Sequence, residues 1–262
     1  MDELIYLLKL SQEELKKVLY EYLIIKKMNP IFEDGFVYAP GNIPVLLVAH
    51  MDTVFKEQPK QIIYNKFEDR IYNPNGGLGG DDRCGIYAIL SLLDKYRPYV
   101  LFTEDEEIGC IGALKTVRTL QAPNVKYTIE FDRRGKNDCV FYSCGNKKFM
   151  HYIEQFGFKK DYGSCSDISI LGRVWNIASV NLSCGYYNEH TVIEYVKFRQ
   201  LQRTINRACM LLDDIQKVPY FDYQDVRYKQ SLSDKIMMLL GLDKVFGESE
   251  SGKVKTLEAR KK

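Results

Sequence analysis

The chain has 262 residues, is 45% hydrophobic and 27% charged, and sets 37 Lys and Arg against 35 Asp and Glu for a formal charge of +2. That length and apolar content suit one large domain with appendages, and the balanced charge offers no general attraction to nucleic acid or to an anionic membrane. No run approaches a membrane span, the acidic start lacks a signal-peptide plan, and seven cysteines form no paired framework, so a cytoplasmic protein with reduced thiols is expected.

Residues 1–28 read as two helices. Ser11 with Glu14 forms a capping box, Leu15, Val18, Leu19, Tyr22 and Leu23 recur at helical spacing, and Pro30 stops the second helix. A short strand is expected near 35–39. Residues 45–49 are five consecutive apolar strand formers, the pattern of a strand buried on both faces, and they run straight into His50. Residues 61–64 and 70–72 flank a polar turn and suit a hairpin. The glycine-rich run 76–80 lets backbone approach a ligand closely and leads through Asp81 and Asp82 into a helix over 86–95. Further strands are expected at 99–103, 125–131, 139–143 and 176–182, and helices at 111–120, 147–156 and 198–212. Strands alternating with helices argue for an α/β domain with a largely parallel or mixed sheet.

Past residue 214 the texture changes. Residues 218–228 are aromatic and polar, 231–240 suit one short amphipathic helix, and 248–262 are charged, poor in apolar residues and expected to be disordered. The expected division is a compact domain over 1–214 and a partly helical extension over 215–262.

The chemistry-bearing residues gather at predicted strand ends and strand-to-helix turns, where open α/β sheets place their sites. His50 and Asp52 follow one strand, Asp81 and Asp82 open a helix, Glu106 and Glu107 follow a second strand, and Asp132 ends a third. His190 follows a fourth. Two residues apart on extended chain, His50 and Asp52 point the same way, so Asp52 can accept one ring N–H of His50 while the other nitrogen binds a metal. Carboxylates crowded on one rim repel unless cations neutralise them. Two histidines with several carboxylates suit zinc, with manganese or cobalt as substitutes, better than calcium. The count fits two divalent ions: one carboxylate bridges, and each ion takes one histidine and one further carboxylate. Such a pair activates water and polarises a carbonyl. Of the adjacent Glu106 and Glu107, one can ligate and the other can take the proton.

In order, the motifs are His-x-Asp-Thr at 50–53, Gly-x-Asp-Asp-x-x-Gly at 79–85, Thr-x-Asp-Glu-Glu-Ile-Gly at 103–109, Phe-Asp at 131–132 and Gly-Tyr-x-x-x-His at 185–190. As a set they resemble the co-catalytic dinuclear zinc exopeptidases, the superfamily of peptidase T and related aminopeptidases, carboxypeptidases and deacylases, over about residues 30–200. The resemblance implies a three-layer sandwich with a mostly parallel central sheet flanked by helices. It implies that Asp81 bridges two metals, that His50 and Asp132 complete one and Glu107 and His190 the other. Asp52 would orient His50, and Glu106 would be the general base and then the proton donor to the leaving amine. Asp167 resembles the Asp of the family's small-polar-Asp turn at the substrate cleft, where Gly185 and Tyr186 also lie. Peptidase T-like members insert a lid and dimerisation domain between the Asp132 and His190 positions. Here 57 residues separate the two, so no lid, and no dimer formed through one, is expected.

The expected activity is therefore cleavage of a peptide bond by an aminopeptidase, with a peptide or an N-acylated small molecule as substrate. The rivals are an amide deacylase with the same chemistry, a metal-binding scaffold that has lost turnover, and a phosphate-binding protein using the glycine run. That run lacks the Gly-Lys-Ser/Thr signature, and the acidic pair after it repels phosphate. Asp82 is expected to cap its helix or pair with a cation, Glu104 and Asp105 to be turn carboxylates, and His151 to be partly buried. Cys84, Cys110, Cys165 and Cys184 are expected to be small buried residues. Tyr187, like Tyr186, could line a pocket or pack.

Overall fold

A computed structural model describes residues 1–226; the expected helix at 231–240 and the expected disorder at 248–262 lie outside them. Two helices open the chain, α1 (Asp2–Leu8) and α2 (Gln12–Ile25). The capping box is present: Ser11 Oγ accepts from the N–H of Glu14, and the Glu14 carboxylate accepts from the N–H of Ser11. Leu15, Leu19 and Leu23 form the buried stripe of α2.

Eight strands form the main sheet. In chain order they are β1 (Ile31–Glu33), β2 (Phe36–Ala39), β3 (Ile43–His50), β6 (Pro98–Thr103), β7 (Tyr127–Arg133), β8 (Asp138–Val140), β9 (Lys159–Lys160) and β10 (Ser179–Ser183). Their spatial order is β1-β2-β6-β3-β7-β10-β8-β9. The four central strands β6, β3, β7 and β10 are parallel, while β2 and β8 run antiparallel to their inner neighbours. The apolar run 45–49 sits in the middle and is fully buried.

Alternation along β3 divides the core. Leu47 and Ala49 face α1, α2, α3 (Gly80–Leu93), α5 (Lys147–Glu154) and α7 (Phe198–Asp213), whereas Leu46 and Val48 face α4 (Ile111–Thr119) and α6 (Asp167–Trp175). The result is the expected helix–sheet–helix sandwich with a mixed sheet.

The expected hairpin exists as β4 (Ile63–Asn65) and β5 (Arg70–Tyr72). It joins β11 (Tyr186–Tyr187) and β12 (Tyr195–Val196) in a separate antiparallel sheet ordered β11-β12-β5-β4. β11 and β12, two residues each, carry no readable periodicity, so only the hairpin half of this sheet is legible in the sequence. The 57 residues between Asp132 and His190 build β8, α5, β9, α6, β10 and β11, all parts of the sheets and their covering helices.

After α7 a short 3-10 turn (Ile215–Lys217) leads back across the sheet. Phe221 donates its N–H to Lys126 O and accepts from Ala178 N, while its ring packs on Tyr127, Phe149 and Tyr152. Among the described residues, no helix is long and apolar enough to cross a membrane.

Candidate active site

The parallel strands end on one rim. β3 delivers His50 there, β7 delivers Asp132, the turn after β6 delivers Glu106 and Glu107, and the start of α3 delivers Asp81. The first residues of α3 do not continue its spiral: Asp81 and Asp82 have non-helical φ/ψ, and the peptide between them is cis. Asp82 is fully buried and caps the regular part of α3, accepting from Gly85 N at 2.9 Å and from His50 N at 3.3 Å.

Asp81 lies between the two histidines. Its Oδ1 is 3.1 Å from His50 Nε2 and its Oδ2 is 3.2 Å from His190 Nε2. Asp132 Oδ1 is 3.6 Å from His50 Nε2, and Glu107 Oε1 is 2.9 Å from His190 Nε2. Asp52 Oδ1 stands 3.1 Å from His50 Nδ1, the geometry expected from their spacing. Asp52 also accepts the N–H of Glu106 on Oδ1 and of Glu107 on Oδ2, each at 3.0 Å. One carboxylate therefore orients the histidine and pins the turn carrying both glutamates, a second role the sequence did not reveal.

The electrostatics follow from crowding. Burial, with Asp132, Asp167 and Glu107 adding and His50 opposing, pushes Glu106 up to about 8. Burial and then Asp81 push Glu107 to about 7 and Asp132 to about 6. Asp81 goes the other way: burial opposes its charge, but His190 and His50 outweigh it and hold it well below the usual range. For His50 burial also opposes the charge, yet Asp132, Asp52 and Asp81 around the ring hold it well above its ordinary value. The hydrogen bond to Asp81 raises His190 to about 9. Without other cations, the cluster offsets its excess negative charge by holding protons on histidine and glutamate.

The donor set fits divalent metals. One donor atom each from His50, Asp81 and Asp132, and likewise from Asp81, Glu107 and His190, lie within 4.8 Å of one another. Glu107 Oε1 is buried and its nearest polar neighbour is His190 Nε2 at 2.9 Å. Imidazole and carboxylate donors in two triads sharing one aspartate suit zinc-like ions.

Further polar groups back the ligands. Tyr186 is 2% exposed, and its hydroxyl donates to Asp132 Oδ1 at 3.0 Å. Asn181 donates to the Asp132 carbonyl and accepts its N–H, and Ser166 Oγ lies 3.0 Å from Asp132 Oδ2. Asp167 is fully buried, accepts from the Thr103 hydroxyl, leaves Oδ1 without a donor, and is raised by burial to about 7. Gly185, with φ +82, donates its N–H to Gly135 O and accepts from Lys197 N. Arg83, fully buried and right behind the aspartate pair, donates to Met51 O and Leu10 O.

Sequence reasoning missed Arg83, Asn181 and Glu194; the last is 1% exposed and accepts the backbone N–H groups of Leu78, Gly79 and Asp81. The partners of each lie far away in sequence, and only the fold shows them. His151 departs from expectation: it is exposed and contacts Gln155. Cys84, Cys110 and Cys184 are buried as expected, but Cys165 is exposed. Beside His190 a cavity of about 500 Å³ opens between Arg134, Tyr187, Asn188, Glu189 and Ile193.

No protein-family model matches the sequence, and no curated protein is similar to it. Solved structures do match. The aminopeptidase PepT of Bacillus cereus superposes with TM-score 0.66 at 13% identity, over 82% of this chain and 97% of that one. A tripeptidase of Staphylococcus aureus gives 0.65 at 14% identity over 82% and 97%, and an aminopeptidase of the archaeon Desulfurococcus kamchatkensis gives 0.61 at 14% over 88% and 98%. The fold of this chain is that of the PepT-type and TET-type aminopeptidases.

Proposed function

We propose that this protein is a dinuclear metal-dependent hydrolase of peptide bonds, acting as an aminopeptidase. The observation that carries the reading is the division of Asp81: one oxygen faces the His50–Asp132 group and the other the Glu107–His190 group, with Glu106 alongside. Two zinc ions held there would polarise the scissile carbonyl and acidify a water.

The chain's own residues supply the rest. Glu106 takes a proton from the attacking water and passes it to the departing amine nitrogen. Asp52 fixes the His50 ring through Nδ1, leaving Nε2 for the metal, and holds the Glu106–Glu107 turn through two N–H groups. The cavity beside His190 gives substrate an approach from solvent. Asp167, Gly185 and Tyr186 are buried, so this reading assigns them the shaping of the cleft from behind: Tyr186 steadies Asp132, and Gly185 sets the chain leading to His190.

The test is hydrolysis with zinc present, comparing unblocked peptides with N-acylated amino acids. Peptides are expected to be cleaved from the free amino end; preference for the acylated compounds would make the protein a deacylase. Glu106→Gln is expected to retain metal and lose roughly 10²–10⁴-fold in kcat. Full activity in that variant would remove Glu106 from the mechanism.

A further inference from the structure

The glycine run 76–80 reads in sequence as backbone shaped to approach an anion, and the fold supplies that anion from within. Glu194 lies four residues beyond His190, on the loop between β11 and β12, and is 1% exposed. Its Oε2 accepts from Gly79 N at 2.7 Å and from Leu78 N at 3.2 Å, and its Oε1 accepts from Asp81 N at 3.0 Å. Three backbone donors converge on one internal carboxylate, as glycine loops do on a phosphate. Space at the contact is matched to it. A Cβ on Gly80 would stand 2.8 Å from Val196 Cγ2 and 3.2 Å from Glu194 Oε1, and Gly79 holds φ +75, which favours glycine.

We propose that Glu194 is a positioning residue of the site, a clamp that locks the loop carrying Asp81 to the loop carrying His190. It touches neither substrate nor metal. It fixes where the Asp81 carboxylate stands between the two histidines, and it occupies the donors that an external phosphate would need. The proposal rests on the reading of Asp81 as the shared metal ligand.

Glu194→Gln tests it with little change of shape. The amide has one acceptor and one NH₂ donor, so whichever way it turns, a donor faces either Gly79 and Leu78 or Asp81. Zinc binding by the full chain, measured calorimetrically, is expected to weaken roughly 10–100-fold, the usual effect of losing a group that orients a ligand. In the metal-free protein, the amides of Gly79 and Asp81 are expected to exchange with solvent faster than in the wild type. Asp69→Asn is the control. Asp69 is a nearly buried carboxylate that accepts from Arg199 N, away from the metal ligands, and its loss should lower the melting temperature while leaving zinc affinity unchanged. If Glu194→Gln does not fold, Glu194→Asp keeps the charge but falls one methylene short, and a smaller loss in the same two readouts is expected. Zinc affinity within about twofold of wild type, or unchanged amide exchange over residues 78–81, would overturn the clamp. A wild type that binds no zinc would overturn the metal reading alone, with the exchange measurement still deciding the clamp.

Discussion

The two halves of the site rest on different supports. His50 and Asp132 stand on β3 and β7, neighbouring parallel strands in the middle of the sheet, and the His50 side chain is 1% exposed. Glu107 and His190 stand on turns, His190 at φ +63 with a side chain 49% exposed. Ligands on strand ends are ordered by folding itself, whereas ligands on turns must be ordered by the ion they bind or by neighbours that pin them. On the proposed reading, the strand-borne half should therefore hold its metal tightly, and the half with the partly exposed His190 should exchange its metal and meet the substrate.

Asp81 belongs to both halves, so its loss erases the contrast. Asp81→Asn is expected to take zinc content from two ions per chain to none and to abolish hydrolysis; a variant keeping one tight ion would show that the halves are independent. His190→Ala and His50→Ala should separate them. The first is expected to leave one tightly bound ion on a normally folded chain, as read by elemental analysis and thermal melting. The second is expected to lose the tight ion and retain only weak uptake, and equal losses in the two variants would dissolve the distinction drawn above. Asp52→Asn acts through its partners and should cost roughly 10–100-fold in affinity, falling on both halves because Asp52 holds His50 and the glutamate turn alike.

The smallest effect concerns pH. Glu106 at about 8, Glu107 at about 7 and Asp132 at about 6 all bind protons more tightly in the folded metal-free chain than in the unfolded one. Their contribution to stability is complete below their ordinary values and is lost as pH rises through the raised ones. His50 and His190, the latter at about 9, act in the same direction at higher pH, while the depressed Asp81 matters only at the acid end. The melting temperature of the chelated protein should thus fall by several degrees from about pH 5 to about pH 9. Saturating zinc should flatten that slope, because the bound ligands are already deprotonated; a chelated protein that gained stability over this range would contradict the sign.

Much of this was legible from residues alone, and the exceptions share a cause. His50, Asp52, Glu107 and Asp132 could be placed together because each lies in or just past the end of an apolar strand, and strand ends in a parallel sheet share a rim. The pairing of Asp52 with the Glu106 and Glu107 amides could not, since it depends on the register that sets His50 beside Thr103. Glu194 was hidden for a similar reason: a glutamate in a polar loop looks solvated until the glycine run 113 residues or more earlier is folded against it. β11 and β12 were too short to leave a pattern. His151 follows Phe149 and Met150, which suggested shelter, but the helix turns it outward.

Arg83 has a consequence for how the chain may be trimmed. The opening helices lie far in sequence from every ligand and resemble a dispensable leader. Yet the Leu10 carbonyl in the turn between α1 and α2 accepts one arm of that guanidinium, whose other arm holds the Met51 carbonyl between His50 and Asp52. Cutting these residues away would remove one of the two carbonyl acceptors of a buried cation, a loss of about 1.5–3 kcal/mol for a hydrogen bond to a charged group. The first ten residues are thus wired to the chain beneath the candidate site, and a shortened version would be expected to fail there rather than at its new terminus.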